Sequence, residues 1–338
     1  MPTVRDIAKI AGVSPSTVSR VLNDRQSVDD ELRNRVMAAA AELQYSIKPA
    51  RQPAAPPLQV GIIVAKTSGQ SMQAHPGIYT VITSFIHILD QQGISNSLLL
   101  IEDKDAANIE AYFAKRLDGY LIIGTSAIQE DALVGYFQQT KIPYVIINRW
   151  MNKRHVNYVN TDDITAAYAA TMRLIQLGHR KIAYIGGEKQ FRHSELRLAG
   201  YRNAMQQSGL ETPDRYIFQG EYSEQYGHTA GEALLAMEDR PTAAFTAGDT
   251  LAIGLQSAFL DHGLKLPQDL AIVTFGNVSA PSYARPRLTA IDIPYGSMGV
   301  QAAQALIMQI QSKDIAGIQI LMDAPLVIRE SCGQPVKA

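Results

Sequence analysis

Apolar positions along the chain keep a helical period up to about residue 48 and a strand-helix alternation from about residue 58. Ile7, Ala8 and Ala11 share one side of a first helix. Thr3 opens that helix, Asp6 can reach back from three positions on, and Gly12 ends it. Ser14 is placed to cap a second helix, with Pro15 at the first position, where a missing N–H costs nothing. Val18, Val21 and Leu22 then repeat at i, i+3, i+4 and must pack against the first helix, which leaves Ser16, Ser19, Arg20 and Asn23 outward. Ser27 or Asp29 opens a third helix running to about Leu43, with Leu32, Val36, Ala39, Ala40 and Leu43 inward. Two short helices across a glycine turn, apolar inside and polar outside, fit a helix-turn-helix whose second helix enters the DNA major groove. A plain helical hairpin shares the periodicity.

Residues 48–57 hold four prolines in ten positions. Each interior proline would remove a helical hydrogen bond, so this stretch is an extended linker. Beyond it the pattern predicts strands over 58–65, 97–101, 119–124, 142–148, 181–186, 243–247 and 270–275. Helices are predicted over 76–92, 106–116, 166–177, 196–208 and 251–262. Near-continuous apolar strands alternating with amphipathic helices mean parallel sheets covered on both faces. One doubly wound sheet holds about half of this chain, so the expectation is an all-α head followed by an α/β core of two doubly wound parallel-sheet subdomains.

Composition narrows this little. The 338 residues are 46% hydrophobic and 19% charged, as in ordinary globular proteins. A net charge of −1 does not announce a nucleic-acid binder, but Arg5, Lys9, Arg20, Arg25, Arg33 and Arg35 concentrate cations at the N-terminal end. The single cysteine, Cys332, allows no internal disulfide, and no leader or membrane-length apolar run is seen, so a cytoplasmic protein with no membrane partner is expected. No phosphate-binding Gly-x-x-x-x-Gly-Lys loop or Gly-x-Ser-x-Gly elbow occurs, and the seven histidines lack metal-ligand spacing. An enzyme, a bound metal and a cofactor are therefore not expected. His179, between a helix and a strand, suits a structural hydrogen bond.

The positions Thr3, Asp6, Ile7, Ala8, Ala11, Val13, Ser14, Thr17, Val18, Ser19, Arg20, Val21 and Asn23 closely resemble the DNA-binding motif of the LacI/GalR family of bacterial transcriptional regulators. The segment Glu42-Leu43-Gln44-Tyr45 is also similar to the end of that family's head. Further markers in the core are 177–187, 197–201, 240–243, 248–249 and 286–291. The resemblance implies a head over 1–48, a linker over 49–57, and an effector-binding core over 58–338 similar to type I periplasmic binding proteins. Its N-subdomain would take about 58–160 and 292–322, its C-subdomain about 161–291 and 323–338.

By the same resemblance the chain would be a repressor of a carbohydrate-utilisation operon, acting as a homodimer on pseudo-palindromic double-stranded operator DNA. Ser16 and Arg20 would stand nearest the bases, with Pro15 beside them. Ser14, Thr17, Ser19 and Asn23 would meet mostly phosphates, and Thr3 and Arg5 are further DNA-binding candidates. Arg51 is the linker residue left for a DNA contact, because the leucine wedge usual in the family is missing here, and weak operator bending is expected. The effector would be a sugar or sugar derivative; a non-sugar metabolite such as a nucleobase is the alternative.

Ligands of parallel sheets sit beyond the carboxyl ends of strands. That rule places Asn148, Arg149, Phe191, Arg192, His193, Arg197, Asp249 and Asn277 in the cleft, and the resemblance assigns effector contact to Arg197 and to the positions of Asn148, His193 and Asp249. Three of these have a structural alternative: Arg197 pinning subdomains, Asn148 capping a turn, Asp249 capping the 251–262 helix. The family's aspartate after the aromatic of the 270–275 strand is Gly276 here, and Gly77 and Ile78 stand where many members carry aromatics, which leaves Tyr79 as the candidate platform. Loss of an acceptor beside Arg149, Lys189, Arg192, His193 and Arg197 predicts a positive cleft and an anionic effector, such as a phosphorylated sugar or a sugar acid.

Overall fold

A computed structural model describes residues 2–22, 29–45, 57–66, 76–102, 113, 116–123, 127–147, 156–189, 191–277, 280–312 and 317–333. Asn23, Arg25, Ser27, Arg51, Asn148, Arg149, the 106–116 helix except for Phe113 and Arg116, and nearly all of the proline-rich linker lie outside those residues. The chain divides into two compact units, Met1–Pro57 and Leu58–Ala338.

The first unit is three helices, α1 (Val4–Ala11), α2 (Pro15–Leu22) and α3 (Asp30–Glu42). At the start of α1 the Asp6 carboxylate accepts from the Thr3 N–H at 2.8 Å and from the Thr3 hydroxyl at 2.7 Å. Gly12 ends the helix with φ at 65°, a left-handed state natural to glycine. Ser14 Oγ accepts from the Thr17 N–H at 3.1 Å, which caps α2 as its position implied. Asp29 occupies the N-cap of α3. Ile7, Ala8, Ala11, Val18, Val21, Val36, Ala39 and Ala40 close the core between the three helices. Arg35 departs from expectation. Its Nη2 donates to the Ala11 carbonyl at 2.6 Å, so this cation caps the end of α1 from α3 rather than adding to an outward basic face.

The second unit holds two six-stranded sheets. In the first, β1 (Gln59–Lys66), β2 (Ser95–Glu102), β3 (Gly119–Ile123), β4 (Tyr144–Ile147), β5 (Tyr158–Thr161) and a late strand β11 (Gln319–Met322) run in the order β11-β5-β4-β3-β1-β2, all parallel. The second comprises β6 (Ile182–Gly186), β7 (Ile217–Gln219), β8 (Ala243–Thr246), β9 (Ala271–Phe275), β10 (Thr289–Ile291) and β12 (Leu326–Val327). Its order is β12-β10-β9-β8-β6-β7, antiparallel only at β10-β12. The chain passes between sheets after β5, after β10 and after β11, and backbone bonds tie the crossings together: Asp162 N to Met322 O, and Asp292 N to Pro325 O.

Helices pair over the sheets: α4 (Pro76–Gln91) with α11 (Tyr295–Gln311), α6 (Asp163–Gln176) with α7 (Arg192–Gln207), and α8 (Glu224–Leu235) with α9 (Asp249–Asp261). Two further helices, α5 (Ala127–Thr140) and the short α10 (Ala280–Tyr283), complete the set among the described residues. The α8–α9 contact is glycine-made. A Cβ on Gly254 would collide with the Glu224 carbonyl oxygen, and one on Gly227 with that of Leu251. Three predicted helices begin earlier than their apolar period suggested, α6 at Asp163 rather than 166, α7 at Arg192 rather than 196 and α9 at Asp249 rather than 251, because first turns carry polar residues.

Candidate functional site

On the head, α2 buries Val18 and Val21 and exposes Pro15, Ser16, Ser19 and Arg20. Thr3 and Arg5 are exposed at the start of α1. The Ser14 hydroxyl bonds those of Ser16 at 2.7 Å and Thr17 at 2.8 Å, so the first turn of α2 is a pre-ordered hydroxyl cluster beside the one long cation of that face. Such a face supplies short donors for phosphates and a guanidinium with two parallel donors for a guanine edge.

In the core, the loops after β5, β6, β7, β8 and β10 bring a second polar group together. Arg197 is 7% exposed. Its Nε donates to Asp163 Oδ2 at 3.1 Å, its Nη1 to the Ala247 carbonyl at 2.7 Å, and its guanidinium lies 3.8 Å above the Phe275 ring. Burial, the largest single influence, lowers the Arg197 pKa; the Asp163 charge together with Tyr222, Tyr295 and Tyr184 outweighs it and raises the pKa above its ordinary value. Thr161 donates to the other Asp163 oxygen at 2.6 Å. Phe191 stacks on His193, and His193 lies against Tyr222, whose hydroxyl shares a 3.0 Å hydrogen bond with Ser194. The Tyr222 ring covers Gly187 and Gly248. Burial raises the Tyr222 and Tyr295 pKa values against the opposing pull of Arg197, so both phenols stay protonated donors.

Several sequence-predicted residues behave differently from expectation. Arg192 pairs with Glu195 one turn along α7 and faces outward. Lys189 is exposed. Glu188, its pKa raised first by burial and then by the charge of Glu221, adds acidity beside β6. Asp249 is the first residue of α9, not its cap; its Oδ1 accepts from the Thr250 N–H at 2.9 Å. Asn277 donates to Asp292 at 3.2 Å and accepts from Arg329 at 2.7 Å, so its carboxamide bridges crossing segments rather than standing free. Tyr79 is 65% exposed, and the ring packed at the start of α4 is Tyr295 instead.

Asp163, Tyr222 and Tyr295 were missed by sequence reasoning. Tyr222 and Tyr295 follow β7 and β10, strands of three residues that are too short for periodicity to reveal, and Asp163 follows β5, whose apolar run is broken by Asn160 and Thr161. The rule that found Asn277 and Asp249 would have found them had those strands been visible. His179 Nδ1 shares a 2.9 Å hydrogen bond with the Thr242 hydroxyl, the structural contact its position suggested. Among the described residues no helix is long and apolar enough to cross a membrane, and no group of histidine, cysteine and acidic side chains has metal-binding geometry.

Comparison with known proteins agrees with this architecture along the whole chain. Residues 3–47 match the family model of bacterial regulatory proteins of the lacI family, and residues 171–332 match that of the periplasmic binding protein-like domain. The chain is 32% identical over 339 residues to the HTH-type transcriptional repressor PurR of Salmonella paratyphi B, covering 98% of this chain and 97% of that one. It is 29% identical over 337 residues to the ribose operon repressor of Haemophilus influenzae, covering 98% of each. The solved structure of a complex of the transcriptional regulator CelR with cellobiose is similar with a TM-score of 0.74 and 27% identity, covering 98% of this chain and all of that one. With an exposed recognition-type helix, two crossing parallel sheets and this likeness end to end, the chain belongs to the lacI family of bacterial regulatory proteins.

Proposed function

We propose that the chain is a sequence-specific transcriptional repressor of a carbohydrate-utilisation operon, cytoplasmic and without enzymatic activity, controlled by a small-molecule effector held between its two sheets. The observation that carries this is the outward face of α2, where Ser16, Ser19 and Arg20 are exposed on a helix anchored by buried Val18 and Val21. Residues 1–48 form the DNA-binding head, 49–57 the linker, and 58–338 the effector core. Ser16 and Arg20 read bases, with Pro15 in apolar contact. Thr3, Arg5, Ser14, Thr17, Ser19, Asn23 and Arg51 hold the backbone.

Pairing of two copies is supported by β2, an edge strand that exposes Leu98 at 49% and Leu100 at 56% on one face, apolar surface that a second copy would cover. A homodimer presents two heads to a pseudo-palindromic operator. The effector is a sugar or sugar derivative, in keeping with the ribose and cellobiose named for two relatives; a nucleobase is the second reading, favoured by the likeness to the repressor named PurR. His193, Phe191 and Asp249 line its place, with Asn148 and Arg149. Arg197 meets it through the guanidinium edge left over from Asp163 and Ala247.

Selection of bound duplexes from a random-sequence pool tests the DNA reading. Enrichment of a two-fold-related motif is expected; a protein that enriches no motif at physiological salt does not read operators. Release or tightening of that duplex by one compound from a panel of sugars and nucleobases tests the effector reading.

A further inference from the structure

The hydroxyl cluster in the first turn of α2 constrains its own protons. Ser14 Oγ has three partners: the Thr17 N–H at 3.1 Å, the Ser16 hydroxyl at 2.7 Å and the Thr17 hydroxyl at 2.8 Å. A serine hydroxyl has one proton to donate and two lone pairs to accept with. The Thr17 N–H can only donate, so it takes one lone pair. One proton and one lone pair of Ser14 remain for the two neighbouring hydroxyls. Of Ser16 and Thr17, one must therefore donate to Ser14 and the other accept from it. Ser14 Oγ is then full, so any hold of Ser14 on the DNA backbone comes from its main chain.

What Ser16 and Thr17 can offer DNA is tied together by this arrangement. The hydroxyl that donates to Ser14 has only lone pairs left for a ligand. The one that accepts from Ser14 keeps its own proton to donate. Ser16 is exposed and Thr17 half-buried on the same turn, anchored by buried Val18. Phosphate oxygens only accept, so a Thr17 hydroxyl on the DNA backbone must donate there and accept from Ser14. Ser16 is then the residue that donates to Ser14, with lone pairs outward.

We propose that Ser16 reads its base as a hydrogen-bond acceptor, from the amino group of adenine or cytosine, because Thr17 on a phosphate fixes its proton through Ser14. The proposal rests on the DNA reading above and names the base chemistry at one position of each half-site. In the major groove adenine N6 and cytosine N4 carry donors, whereas guanine O6 and N7 and thymine O4 accept. A serine with a free proton serves either class. Held in this order, Ser16 turns lone pairs toward an oxo group, and neither oxygen finds a proton. Arg20, one turn along α2, can only donate, so the two residues read opposite base chemistry.

The test is competition binding of the full chain to the duplex it selects, at fixed salt. Ser16→Ala first locates the base pair whose preference flattens. There an amino group is exchanged for an oxo group in the same place, adenine for hypoxanthine or cytosine for uracil, each with its pairing partner. The natural protein should favour the amino base by about fivefold or more, and Ser16→Ala by less than about twofold. Thr17→Val deletes the hydroxyl at nearly constant shape. It should weaken binding to every duplex and cut the amino preference to within about twofold, because Ser16 is then free to donate. Thr17→Ser, which restores the hydroxyl, should keep the preference of the natural protein, and Thr17→Ala repeats the deletion should valine disturb α2. A preference for the oxo base, or an undiminished amino preference in both Thr17→Val and Thr17→Ala, overturns the proton order and leaves the DNA reading intact. If Ser16→Ala flattens no position, Ser16 reads no base and the proposal falls with that assignment. A natural protein that selects no duplex removes the DNA reading as a whole.

Discussion

Arg197 and Asp163 form a buried ion pair, 3.1 Å from Nε to Oδ2, that fastens α7 to the first turn of α6. Neither side chain exceeds 9% exposure. Removing one partner leaves the other charge buried and alone. Arg197→Ala and Asp163→Ala are each expected to destabilise the core by about 3–5 kcal/mol. Exchange of both for apolar residues of similar size should restore most of that loss. Urea unfolding followed on the core transition measures both; a single variant as stable as the parent would show that water or a neighbour replaces the partner.

Gly254 of α9 lies directly against the backbone of α8 at Glu224 and His228. Gly254→Ala must push the helices apart, because the added Cβ meets the Glu224 backbone rather than a movable side chain. A loss of about 1–3 kcal/mol is expected despite alanine's better helix propensity. A gain in melting temperature would mean that the α8–α9 contact relaxes freely.

Arg20→Ala should abolish preference for the selected operator over scrambled duplex, a loss of about 1–3 kcal/mol in discrimination, and leave nonspecific binding in place. Competition binding at fixed salt reads this directly. Preference equal to that of the parent would assign Arg20 to phosphate.

Ser14→Ala deletes the cap of α2 and the centre of the Ser14–Ser16–Thr17 hydroxyl cluster. The head should lose about 1 kcal/mol, and Ser14→Asp should recover most of it, since a carboxylate caps as well and suits a helix N-terminus. Chemical-shift or hydrogen-exchange changes confined to residues near α2 would locate the effect.

His179 has its pKa lowered by burial. The folded state therefore binds this proton less readily than the unfolded chain. Its contribution to stability is full above the unfolded value near 6.5 and is lost as pH falls through the lower folded value. Core stability should decline on acidification from about pH 7 to pH 5, and His179→Gln, which can keep a bond to Thr242, should flatten that decline. An identical slope in the two proteins would remove His179 from the acid response.

The head was legible because its signals act within one or two turns. Thr3 with Asp6, Ser14 with Thr17, Gly12 in its left-handed state and the spacing of Ile7, Ala8, Val18 and Val21 each need only near neighbours in sequence. The α/β class was legible for a related reason, since β1, β3, β4, β6, β8 and β9 are long enough, and buried enough, for apolar runs to stand out. Strands such as β7 and β10, at three residues each, fall below one full alternation and left no mark.

What tertiary structure alone decided is which charges remain free. From sequence, Arg192, Arg197 and Arg35 were three cations available to ligands. In space, Glu195, Asp163 and the Ala11 carbonyl engage them. Two of these partners, Asp163 and Ala11, lie 34 and 24 residues away from their arginines. Likewise, the aromatic beside Gly77 is Tyr295, which the chain reaches only after crossing to the second sheet and back, and the acid beside Gly276 is Asp249 at the start of α9. Local hydrogen bonding and apolar periodicity are properties of consecutive residues, so the chain states them by itself. Charge neutralisation and the filling of a glycine's space depend on which distant segments the sheet order makes neighbours, and only the folded molecule sets that.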